Sequence, residues 1–215
     1  MTKNALILAS DIMEQAQHSG RSAGTSLEAI ASEQGDETML AVLTEMDILT
    51  VAKIVREHDA TIPSIATWLM DADSIKRLLN VEPSYWQNMD EDHIFCAQTE
   101  AHSLLTQIFL SSDDEEKQLE ILKVIVEDDF GLLYLALPFV GHDFSELEED
   151  EEQASGSIEE LLMKIKTLDE EAYLEVMTVS TNGTLENIEN TLKQNANKQR
   201  VTAVEMDTDD MFAPL

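Results

Sequence analysis

Seven glycines and four prolines in 215 residues are too few turn-formers for a β-rich fold, where nearly every strand needs its own turn. The chain must be built from long elements with few sharp corners, and the expected class is mainly α: an irregular multi-helix domain. An apolar content of 43% is ordinary for a packed core, so 44 Asp and Glu against 13 Lys and Arg, a formal net charge of -31, do not make it a disordered polyelectrolyte. That charge repels nucleic acid and anionic membrane surfaces and favours a protein partner with a basic surface, so direct nucleic-acid binding is set aside.

Periodicity fills in the helices. Met39, Leu43 and Met46, running on into Leu49 and Ile54, form a broad apolar surface. Ile62, Ile65, Ala66 and Leu69 share a face that Ile75, Leu78 and Leu79 resume. Ile94, Ala97, Ala101, Leu104, Leu105 and Ile108 stripe one long helix. Ser112 with Glu115, and Ser157 with Glu160, have capping-box spacing ahead of apolar runs. These signals predict helix over 39–56, 62–80, 92–110, 113–126 and 157–168. Late in the chain two readings are open. Tyr173–Ser180 and Val201–Met206 are rich enough in β-branched residues for a short two-stranded element, while Leu185, Ile188 and Leu192 fit a helix face. Six acidic residues between Glu146 and Glu152 lead into Ala154, Ser155 and Gly156. The expected organisation is therefore a helical core over 1–142, an acidic linker over 143–156, a helical segment over 157–200 and an acidic tail over 201–215.

No cofactor motif or catalytic constellation is legible. His93, Cys96 and His102 cannot share one ion, because a continuous helix at about 100° per residue turns His93 and His102 to opposite sides. Asp71, Asp73 and Glu82 have the outer spacing of a calcium loop, but Ile75 and Lys76 stand where a ligand and a glycine are required. The Gly20–Ser26 run lacks the lysine of a phosphate loop and reads as a flexible connection. His142–Asp143 has no nucleophile in a recognisable context around it. The expectation is a protein without enzymatic activity, metal or cofactor. A single Cys96 fits a reducing compartment, the apolar run 130–140 is too short to span a bilayer, and the expected location is the cytoplasm, with a membrane-bound partner left open.

Three features have the character of binding devices. One is the acidic block, with Glu148, Glu149 and Asp150. The second is the apolar segment 130–140, in which Leu133, Tyr134, Leu137 and Phe139 serve either core packing or a partner groove. The third is the C-terminus, where Met211, Phe212 and Leu215 follow Asp207, Asp209 and Asp210. That tail is similar to acidic tails of single-stranded-DNA-binding proteins and of sliding-clamp ligands, and the whole composition resembles that of small acidic adaptors and chaperones of bacterial secretion machines. The resemblance implies an acidic adaptor or chaperone-like subunit. The alternative is an inhibitor that mimics nucleic acid, presenting carboxylates in place of phosphates.

Overall fold

The computed structural model describes residues 3–58, 64–88, 94–144 and 155–211; side chains of 3, 87–88, 94–96 and 202–211 are outside that description. Twelve α-helices, α1 Lys3–His18, α2 Gly20–Gln34, α3 Asp36–Thr44, α4 Ile48–Glu57, α5 Ile65–Leu69, α6 Ala72–Val81, α7 Ile94–Phe109, α8 Glu115–Val126, α9 Asp129–Ala136, α10 Ile158–Leu168, α11 Glu170–Asn182 and α12 Leu185–Met211, make up the described fold. Two 3-10 segments, Glu82–Asn88 and Leu137–Phe139, continue α6 and α9. Among the described residues there is no strand. The two-stranded alternative gives way because Ala172, Val176 and Ser180 lie four apart and are buried along one face of α11, while Val201 belongs to α12.

Many of the acidic residues have a local task. Asp47, Asp71, Asp114, Asp128 and Asp169 each stand just before a helix and accept a hydrogen bond from a free backbone N–H of its first turn, at 2.8–3.1 Å. Ser157 caps α10 through the Glu160 N–H at 3.1 Å, and Glu160 reaches back to the Gly156 N–H. The capping box expected at Ser112 is shifted: Asp114 is the cap, and Ser112 accepts from the Asp114 N–H instead. Caps also cut two stretches that periodicity joins. Asp47 separates α3 from α4, and Asp71 separates α5 from α6.

The presumed flexible run at Gly20 is the start of α2, capped by Ser19. A Cβ on Gly20 would lie 2.7 Å from the Lys53 carbonyl, so glycine is what lets α2 meet α4, and the Gly20 N–H donates to Glu57 at 2.6 Å. Gly35, at φ 86°, turns the chain from α2 directly into α3.

Helices α1–α4 pack mutually, and α6–α12 form a larger group around α9; the apolar core runs through both, from Ala5 to Leu192. Tyr134, Leu137 and Phe139 are fully buried in it and Leu133 is half-buried, so the segment 130–140 serves packing. The two groups are clasped by polar bonds. Glu82 is buried and receives Arg56 of α4 at 2.6 Å, Trp86 Nε1 at 3.0 Å and the Tyr134 hydroxyl at 3.0 Å. Burial pushes the Glu82 carboxyl above the usual glutamate range, against the pull of Arg56 and of the two neutral donors. The Tyr134 hydroxyl is pushed well up by the same burial and by Glu82 itself. A second clasp is the Tyr85 hydroxyl on the Leu49 carbonyl at 2.8 Å.

Candidate protein-docking site

Between the two groups lies α5, five residues long. Ala66 and Thr67 are buried, and Met70 closes the turn that follows. Trp68 points the other way and is 49% exposed. Its backbone carbonyl is held by Lys117 of α8, and the Ser64 N–H at the start of α5 points to the Gln107 side chain of α7 at 3.4 Å, so this short helix is pinned from two sides.

Trp68 forms one wall of a groove of about 310 Å³ whose other walls are Ser64, Ile65, Thr67, Gln107 and Ser111. In a chain where about a fifth of the residues are acidic, this lining has no carboxylate among the described residues. The α7–α8 corner that ends the groove is fixed by Gln118, which is buried and donates to the carbonyls of Phe109 at 2.9 Å and Ser112 at 2.6 Å. Past Ser111 and Ser112 come Asp113, Asp114, Glu115 and Glu116, all exposed. Across Trp68, Lys117 stands near Asp71 and Asp114; its burial pushes the ammonium down, and those carboxylates oppose the shift. Hydrogen bonds from Ser74 hold the Asp71 carboxyl low, with Lys117 and Arg77 adding to the effect. Beside Asp71 is a smaller depression of about 120 Å³ bounded by Leu40, Leu43, Met46, Met70 and Arg77.

This arrangement can hold an apolar side chain against an indole face, offer hydroxyl and amide groups to a backbone, and attract positive charge at one end. Half-exposed tryptophan in a concave setting is the residue type that dominates protein contacts when it becomes desolvated. Leu6, Ile7, Leu40, Leu174 and Val201 are also exposed, but none of them lines this groove. Among the described residues no group of three or more His, Cys, Asp or Glu could hold a metal ion. Nor is any described helix long and apolar enough to cross a membrane.

Of the binding residues expected from sequence, the described ones, Leu133, Tyr134, Leu137 and Phe139, do not line this groove. Glu148, Glu149, Asp150, Phe212 and Leu215 lie outside the described residues; Met211 ends α12, with its side chain outside the description. Tyr134 is engaged with Glu82 in the core. His142 and Asp143 are exposed, with the imidazole stacked on Phe144 at 5.9 Å. Trp68 is missed by periodicity because Ile65, Ala66 and Leu69 define the stripe and the indole sits off its centre. That displacement of a large aromatic from its own apolar face is the signal a single sequence offers.

Two family profiles match the chain: the AtcB N-terminal domain over residues 1–69 and the AtcB C-terminal domain over residues 72–207. The Adaptation to cold protein B of Shewanella oneidensis is 33% identical over 146 residues, which cover 68% of this chain and 58% of that protein. No solved structure matches. Ser64, Ile65, Thr67 and Trp68 of the groove come from the first profile, and Gln107 and Ser111 from the second, so the groove is assembled where the two domains meet. The chain belongs to the AtcB family.

Proposed function

We propose that this chain is an acidic cytoplasmic adaptor that works by holding a protein partner with a basic surface, without chemistry of its own. The observation that carries the reading is Trp68: a large aromatic left half in water, its backbone carbonyl held by Lys117, in a groove with no carboxylate among its described lining residues. Exposing that much indole costs solvation free energy, which a partner recovers on covering it. Grooves between domains are also the usual place for a recognition site. A nucleic-acid mimic would instead present carboxylates at regular spacing along an uninterrupted face, and five of the acidic residues here are spent capping helices.

The relative's name speaks of adaptation to cold, and we extend the proposal to a role at low temperature. The test is affinity purification of the tagged full chain from its native cells, with and without Trp68→Ala, at growth-optimal and low temperature. A defined partner retained by the wild type and lost with the variant, whose helical circular dichroism and melting stay unchanged, is the expected outcome. A partner retained equally by both would assign the contact to another surface, and no partner under either condition would end the adaptor reading.

A further inference from the structure

We infer that the Trp68 groove takes a linear segment of the partner in which one large apolar side chain, leucine or phenylalanine, is followed by basic residues. The inference rests on the adaptor reading and adds to it what is recognised. Three features on the groove specify the occupant.

The first is size and lining. About 310 Å³ is at the small end of ligand sites, and its walls of Ile65, Trp68, Thr67 and the polar edges of Ser64, Gln107 and Ser111 suit one anchored side chain with its backbone, not an extended cofactor. The second is charge. Asp113, Asp114, Glu115 and Glu116 follow Ser111 and Ser112, and Lys117 is engaged by the Trp68 carbonyl, with Asp114 and Asp71 near it. Glu115 meets Lys164 at 3.0 Å and Asp114 lies near Lys117, so Asp113 and Glu116 carry the excess negative charge of the corner. A segment whose positive charges lie past the anchor meets that corner, and the field of a -31 molecule draws it in. The third is rigidity. Gln118 fixes the corner and Lys117 holds the Trp68 carbonyl, so the backbone of the site needs little ordering before binding.

Isothermal titration calorimetry of the full chain against synthetic, end-capped 12-residue peptides tests this. The set has a central Leu or Phe followed by four Lys or Arg, the same peptides with Ala as the central residue, and counterparts in which Glu replaces the basic residues. The Leu or Phe basic peptides should bind with Kd on the order of 10 µM, and the Ala and Glu counterparts should bind at least about tenfold more weakly. Trp68→Ala should weaken the basic peptides by about tenfold or more. Ser111→Lys, a change on an exposed residue that obstructs the groove and adds a positive charge beside the acidic corner, should do the same, so a folding defect in one variant leaves the other to decide. Equal binding of the Leu and Ala basic peptides, or wild-type affinity in both variants, would show attraction to acidic surface alone and overturn the inference. Tighter binding of the Glu peptides would overturn its charge assignment, and no binding by any peptide would overturn it altogether. In those cases a partner still co-purifying with the wild type would leave the adaptor reading standing, its contact elsewhere if Trp68→Ala also retains it and at Trp68 with a different occupant if not; absence of such a partner would remove both.

Discussion

Replacing Glu82 with Gln keeps the shape of the side chain while removing its charge, which separates the two forces acting on it. Glu82 gives up its water but gains Arg56, Trp86 and Tyr134, and Arg56 keeps Glu100 at 3.9 Å as a second partner. The substitution should therefore cost about 1–3 kcal/mol of unfolding free energy at neutral pH, measured by urea titration. Because burial raises its folded-state pKa, the native chain binds this proton more tightly than the unfolded chain does. The contribution of Glu82 is thus greatest below the ordinary glutamate range and declines as pH rises through that range to the raised value. The stability gap between wild type and Glu82→Gln should narrow over that interval; a gap that widens would mean Arg56 outweighs burial. Two glycines of α2 give a matched pair. A Cβ on Gly20 strikes the Lys53 carbonyl at 2.7 Å, whereas on Gly24 it meets Ile54 at an ordinary 3.5 Å. Alanine should destabilise by about 1–3 kcal/mol at position 20 and stabilise by up to about 1 kcal/mol at position 24, where helix propensity is free to act.

At the level of the helices, caps decide the boundaries that apolar stripes leave undefined. Asp114 accepts the Lys117 N–H at 3.1 Å, while Ser112 only bonds the Asp114 N–H within the preceding turn. Asp114→Ala should cost about 1 kcal/mol in a thermal or urea melt and Ser112→Ala distinctly less. This difference also shows how far the sequence could be read. The stripes of α7, α8 and α10 are visible because one face of each is apolar at the right spacing, and all three lie where periodicity predicts them. The breaks before α4 and α6 are harder, because the apolar pattern resumes after each with nearly the same phase and only Asp47 and Asp71 mark the interruption. Helix α11 was obscured by composition. Val176, Thr178 and Val179 favour strands by a few tenths of a kcal/mol each, but the Asp169 cap and the burial of Ala172, Val176 and Ser180 outweigh that preference.

For the whole molecule, the dominant quantity is net charge. Exposed carboxylates repel one another in the folded state, and salt screens them over about 8–10 Å at physiological strength. Raising salt from low to moderate concentration should raise Tm in a calorimetric scan and, over the same range, weaken a basic partner; affinity that does not change would assign the contact to apolar surface alone. The Trp68 groove was beyond a single sequence for a geometric reason: 64–68 and 107–111 are some forty positions apart, and their meeting depends on the rotation of α7 against α5, which no local spacing encodes. The apolar segment 130–140 drew attention by its density, yet density is what a core helix requires. The two tryptophans end up in opposite surroundings, Trp86 fully buried beside Glu82 and Trp68 half in water. The chain therefore contains two intrinsic fluorophores that acrylamide quenching can tell apart: emission from Trp86 follows the opening of the fold, and emission from Trp68 follows the filling of the groove, so folding and occupancy can be read in one cuvette without a label.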